Sequence, residues 1–256
     1  AVYKDLRIGE INTAKGEEFV ELRYPGGEKY LRIGEVHGGV EPLAIQREMI
    51  RRTIKEHLDK EKRFRPMGIK VLSLFFIDTV ERYRQYDADG NPVKGVYATI
   101  FEEEYKRFAK HPDYQSLFSE VDFNHSAEEV HNGYFSIDKK GGWSDTAENN
   151  AGNRENAERA YNLIMKDKEK LLTFSTPLKF IFSHSALKEG WDNPNVFQIC
   201  TLRDIQSERE RRQTIGRGLR LCVNQSGERV RGFEVNTLTV IATENYETFA
   251  ENLQKE

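Results

Sequence analysis

Chemistry in this chain concentrates in residues 209–220, which read R-E-R-R-Q-T-I-G-R-G-L-R. Gln213, Gly216, Arg217 and Arg220 stand there at the spacing Q-x-x-G-R-x-x-R. A guanidinium carries a permanent charge on a rigid fork of donors, which suits a phosphate. An arginine aimed at the γ-phosphate of a nucleotide raises hydrolysis by roughly 10³–10⁵ in some hydrolases. Gly216 allows close backbone approach. The plainer reading is an exposed basic helix end paired with Glu208 and Glu210. No phosphate-cradling G-x-x-x-x-G-K-[ST] loop occurs anywhere in the sequence. The chain therefore reads as one half of a nucleotide-driven machine.

A second segment, residues 182–194, reads F-S-H-S-A-L-K-E-G-W-D-N-P and follows an apolar run. Open α/β sheets place ligand loops after such strands. Gly190 permits a tight turn, and Asp192 is suited to accept from a sugar hydroxyl. Ser183, His184 and Ser185 suit contacts to nucleic-acid phosphates. The plainer reading has Asp192 capping a turn and Trp191 packed in the core.

Other constellations carry less. Asp78 ends the run L-F-F-I-D like a magnesium-holding aspartate, but Thr79 follows it where an acid would be expected. Ser183 and Ser185 lie outside any G-x-S-x-G pattern, so acyl transfer is not expected. Asp87, Asp89 and Asn91 resemble a calcium loop, yet Gly90 comes too early and Ala98 occupies the closing position. His125, His131 and His184 are too scattered for a metal site, and none is expected. Asp138, Lys139 and Lys140 lack the paired upstream acids of a nuclease.

The elements that must hold these segments follow from periodicity. Residues 1–40 alternate apolar and polar around several glycines, predicting short strands and turns. Residues 43–64 carry Ile45, Met49, Ile50, Ile54 and Leu58 at helical spacing, with Pro42 in the first turn. Pro66 and Gly68 end that helix, and residues 69–77 read as a buried strand. Residues 80–86 start a further helix, cut by the turn at 87–92, and residues 97–110 form another. Residues 122–152 form a polar, Gly-rich excursion with one hairpin near Tyr134. Helices follow at 156–172, 206–215 and 246–255, and strands at 178–183, 195–202 and 236–242. Helices separating short apolar strands predict an α/β fold with a mostly parallel sheet covered on both faces.

Composition sets outer bounds. The 256 residues are 38% hydrophobic and 32% charged, which fits a folded domain large enough for a substantial core. Lys plus Arg is 39 against 42 Asp plus Glu, a net charge of -3, so nucleic-acid binding would need a local basic face. Cys200 and Cys222 have no zinc spacing and read as reduced core thiols. No apolar run approaches the ~20 residues that cross a bilayer, so no membrane role is expected and the location expected is cytoplasmic.

Taken together, four stretches resemble the Res subunit of type III restriction-modification enzymes. They are residues 68–77, 133–138, 180–202 and 212–221; residues 236–240 also fit. Within that family they are similar to the second, C-terminal recombinase-like motor domain of superfamily 2 helicases. The resemblance covers residues 42–255 and implies a three-layer P-loop NTPase-type domain lacking its own P-loop. It implies domain limits of 1–40 for a small β-rich flank and 41–256 for the motor domain, with an insertion around 111–152. By the same resemblance, Gly190, Asp192, Gln213 and Gly216 face the nucleotide. Arg217 and Arg220 are arginine fingers reaching phosphates held on the first motor domain, and Ser183, His184 and Ser185 face the DNA strand. The family's fifth motif opens on threonine-aspartate where this chain has His184 and Ser185.

The implied cofactors are ATP and Mg2+ in the full-length enzyme, with none held tightly by this segment. The implied partners are double-stranded DNA, a methyltransferase (Mod) subunit, and the first motor domain and nuclease domain of the same bacterial parent chain. The missing lysine loop, D-E-x-H-type motif and nuclease acids lead us to expect an excised motor domain, inactive alone. The alternatives are a translocase domain from a non-restriction repair or remodelling protein, and a non-enzymatic nucleic-acid-binding module.

Overall fold

The computed structural model describes residues 6–33, 35, 42–89, 91–118, 127–135, 162–184, 191, 193–203, 205 and 208–243. The chain divides into two compact units, residues 1–45 and 46–256. The first holds an antiparallel meander of β1 (Arg7–Asn12), β2 (Phe19–Tyr24) and β3 (Gly27–Leu31). Buried Glu21 fastens it by accepting from the Glu10 N–H at 2.8 Å and the Arg23 guanidinium at 2.7 Å.

The second unit is built on a five-stranded sheet. Its strands are β4 (Leu72–Phe76), β7 (His131–Tyr134), β8 (Phe180–Ser183), β9 (Val196–Thr201) and β10 (Thr239–Ala242). They run in the order β10-β9-β4-β8-β7, and every pairing is parallel. The three central strands are buried along their whole length, as parallel strands covered on both faces must be.

Alternation along β4 divides the core. Leu72, Leu74 and Phe76 face a layer containing Ile164, Leu171 and Trp191. Ser73 and Phe75 point the other way, toward helices α1 (Pro42–Phe64) and α2 (Val96–Ala109). On that face the Phe75 and Phe182 rings stack at 4.4 Å, and Phe101 meets Phe180 edge-on at 4.8 Å. The unit is thus an α/β domain with helical layers over a parallel sheet, consistent with the recombinase-like architecture.

Helix α1 buries Ile50, Ile54 and Leu58 completely, each worth roughly 2 kcal/mol by transfer. It ends through the turn Arg65–Met67 and Gly68, whose φ of 69° is left-handed and whose N–H returns to the Arg65 carbonyl at 3.0 Å. Cys200 and Cys222 are both free and buried, as their spacing led us to expect. Among the described residues, no helix is long and apolar enough to cross a membrane.

Several elements differ from the sequence expectation. Residues 80–86 do not open a helix. A single 3-10 turn, Val80–Arg82, leads into a hairpin of β5 (Arg84–Tyr86) and β6 (Pro92–Lys94). The cause is Asp87, whose Oδ1 accepts the N–H groups of Asp89 and Asn91 at 3.0 and 2.8 Å and closes the loop. The hairpin expected near Tyr134 is instead β7, the edge strand of the central sheet. The helix expected over 156–172 enters the described residues as a π-helical turn, Asn162–Lys166, followed by the short helix Lys168–Leu172. Residues 156–161 and the helix expected at 246–255 lie outside the described residues.

Candidate functional site

The arginine motif is delivered by a short helix, Glu208–Ile215, which continues as a 3-10 turn over Gly216–Gly218. Thr214 and Ile215 bury its inner side, while Gln213 is exposed. Arg211 donates to the Ile205 carbonyl at 3.0 Å. Glu210 pairs with Arg203, which follows β9, and so ties the helix to the strand that leads into it.

The two glycines of the turn differ. A methyl group on Gly218 would lie 2.5 Å from Leu238 Cδ1, so a side chain there would push the leucine out of place. Among the described residues, a methyl group on Gly216 would meet nothing within 4 Å. The packing of the described residues therefore does not require glycine at 216.

Arg217 is half-buried, and its Nη1 donates to the Trp191 carbonyl at 3.0 Å. Burial lowers its pKa from the ordinary 12.5, yet a guanidinium stays cationic at neutral pH. Arg220, three residues on, is exposed. The two segments singled out by sequence thus meet at one hydrogen bond, since Trp191 stands between Gly190 and Asp192 in the chain. Gly190, Asp192 and Ser185 themselves lie outside the described residues.

Trp191 is 3% exposed and packs against the sheet as the plainer reading held, with its Nε1 donating to the Ile164 carbonyl at 2.8 Å. Ser183 closes β8, where its carbonyl accepts the Ile77 N–H at 2.9 Å. Its side chain is buried, and its Oγ has no hydrogen-bond partner among the described residues. His184, the next residue, is half-buried.

Asp78 is held locally. It pairs with Arg82 at 3.1 Å and accepts from the Tyr97 hydroxyl at 3.1 Å and the Thr79 N–H at 3.0 Å. Those bonds occupy the carboxylate with neighbours on its own side of the sheet. Among the described residues no group of three or more His, Cys, Asp or Glu could hold a metal ion.

Two supporting residues escaped the sequence reading. Asn195 donates to the carbonyls of Lys70 and Val223 at 2.9 Å and accepts the Val223 N–H at 2.8 Å. It joins the start of β4 to the chain leaving the arginine motif. Lys70 is 2% exposed, and its Nζ donates to the carbonyls of Leu171, Thr173 and Thr176. Burial, with positive Lys179 nearby, pulls its pKa down to about 7. A lysine inside an otherwise apolar run was the available signal.

No protein-family model matches the chain. Curated relatives do. The Res subunit of the type III restriction-modification enzyme EcoP15I of Escherichia coli is 41% identical over 192 residues, 72% of this chain and 18% of that protein. The EcoPI Res subunit of Escherichia phage P1 is 42% identical over 193 residues, with the same coverage. The StyLTI Res subunit of Salmonella typhimurium is 35% identical over 179 residues, 63% of this chain and 17% of that protein. The chain spans less than a fifth of the length of these relatives.

Proposed function

From the chain's homology to a segment of the Res subunits of type III restriction-modification enzymes, we propose that it is the second motor domain of such a subunit. ATP would bind with Mg2+ on a first motor domain elsewhere in the parent chain. Arg217 and Arg220 reach its phosphates from this side, Gly190 and Asp192 face the nucleotide, and Gln213 and Gly216 line the approach. The observation that carries this reading is the 3.0 Å bond from Arg217 to the Trp191 carbonyl. It sets the arginine turn against Trp191, the residue that lies between Gly190 and Asp192 in the sequence.

The chemistry asked of this domain is electrostatic. Phosphoryl transfer spreads charge over the transferred group, and a fixed guanidinium stabilises that charge without covalent participation. No described residue lies within 4 Å of a Cβ built on Gly216, which leaves the turn accessible to an approaching phosphate group. Asp78 would not serve as a magnesium ligand in this reading, since its carboxylate is engaged by Arg82 and Tyr97.

Closure of the two domains on ATP and reopening after hydrolysis would drive communication along double-stranded DNA. His184 and Ser185 would grip one strand by its phosphates, contacts that carry no base readout. Ser183, expected to share that role, has its side chain buried at the end of β8 and would only carry those two residues. The Mod subunit would recognise the site, and a separate nuclease domain of the same chain would cut.

Arg217→Ala in the full-length subunit, assayed with Mod and DNA, tests the reading. ATP turnover should fall by about 10³, with DNA affinity changed less than about threefold. Equal losses in turnover and DNA binding would overturn the finger role and favour a nucleic-acid-binding module.

A further inference from the structure

The carbonyl that Arg217 meets belongs to a residue fixed from its far end. Trp191 is buried, and its indole N–H is spent on the Ile164 carbonyl at 2.8 Å. Ile164 is fully buried in the π-helical turn Asn162–Lys166. There the Asp167 N–H reaches back five residues to the Asn162 carbonyl at 2.8 Å. Such turns are rare and recur at functional sites. Ile164 and Trp191 share one apolar cluster with Leu72 and Leu74 of the central strand. The indole therefore cannot swing without breaking both its packing and its hydrogen bond.

The consequence runs through the backbone. Fixing the ring of residue 191 at its N–H anchors the Cα from which the Trp191 carbonyl projects. That carbonyl holds one nitrogen of Arg217. A guanidinium has five N–H donors in a rigid plane, so a bond to one nitrogen helps to set the direction of the whole fork. A long arginine side chain otherwise samples many rotamers, and ordering it beforehand removes an entropic cost from the reaction.

We propose that Trp191 is a positioning residue for nucleotide hydrolysis: its indole bond to Ile164 fixes the carbonyl that aims Arg217. The inference rests on the motor-domain reading above and adds a residue to it. Packing alone accounts for an aromatic ring at 191. It does not require that the ring's single donor be anchored to the π-turn, nor that the same residue's carbonyl receive the motif arginine.

The test uses the full-length subunit with Mod and DNA. One variant is Trp191→Phe. A second replaces the Trp191 indole by benzothiophene, which keeps the ring's shape and puts sulfur where the N–H stood. The isostere should melt within a few degrees of the parent, lower kcat for ATP about tenfold, and leave KM within about twofold. Combined with Arg217→Ala, it should cost nothing beyond Arg217→Ala alone, because both act through one guanidinium. An isostere with parental kcat overturns the proposal, as do losses that multiply in the double variant. Should Trp191→Phe fail to fold, the isostere alone decides. If Arg217→Ala itself leaves turnover intact, the motor-domain reading falls and this inference with it. If only the 191 variants are silent, this inference falls alone.

Discussion

The ammonium of Lys70 lies 2.6 Å from the carbonyl of Thr176, at the start of the chain that becomes β8. The Leu171 and Thr173 carbonyls complete the cage at 2.7 and 3.0 Å. One buried side chain thus satisfies three backbone acceptors left by the end of the helix Lys168–Leu172 and the turn after it. Lys70→Met keeps the length of the stem and removes every donor. It should lower stability by roughly 2–4 kcal/mol, the range expected when buried polar groups lose a charged partner. Urea unfolding of the isolated domain measures this. An unchanged midpoint would mean that the carbonyls find other donors.

Acid should destabilise the second unit through Glu102 and His131, whose side chains meet at 3.3 Å. Burial opposes the charged form of Glu102, but bonds from His131 and Lys94 outweigh it and bring its pKa to about 2. Burial lowers the pKa of His131, outweighing the pull of Glu102. Both groups have folded values below their unfolded ones, so both contribute stability at neutral pH that acid removes. The His131 part fades as pH falls below about 6.5. The Glu102 part fades from about 4.5 toward 2. Denaturation midpoints across this range should fall, and Glu102→Gln should flatten the lower portion. A profile identical to the parent's would remove Glu102 from the account.

Much of this was readable in the residue pattern, and the exceptions have physical causes. The apolar run at 69–77 and the helical spacing of Ile50, Ile54 and Leu58 specify β4 and α1, because burial enforces periodicity. Residues 80–86 were misread because Val80 and Tyr83 fit a helical spacing, while the deciding factor was how the Asp87 carboxylate closes its own loop. β7 was misread because its four residues, H-N-G-Y, carry little apolar signal. Its partner β8 lies more than forty residues away in sequence, and only that pairing makes it a strand. The arginine motif was legible from residue types alone. Its contact with Trp191 was not, since it joins residues 26 apart through a backbone carbonyl.

Gly216 and Gly218 should separate function from folding. Gly218→Ala forces a methyl group against Leu238 and should destabilise the domain by about 1–2 kcal/mol. Gly216→Ala meets nothing among the described residues, and alanine is the better helix former, so stability should hold or rise slightly. If the turn at 216 admits a phosphate, the same methyl group should lower ATP turnover in the full-length subunit by tenfold or more. Melting curves beside turnover measurements read both effects. A Gly216→Ala subunit with parental turnover would show that nothing approaches that turn.

The isolated 256-residue chain should not turn over ATP. Its sequence contains no lysine-bearing phosphate loop. Asp78, two residues past the end of central strand β4, is held by Arg82 at 3.1 Å and by the Tyr97 hydroxyl. An arginine finger stabilises charge on a phosphate that other groups must bind and align. Alone it supplies neither the site nor the positioned water. Phosphate release from ATP by the purified chain, with and without DNA, should match a protein-free blank. Adding a first motor domain in trans should restore turnover only if the two surfaces can close. Hydrolysis by the purified chain that disappears on Arg217→Ala would show that a complete site exists within these residues, and the division of labour proposed between two domains would fail.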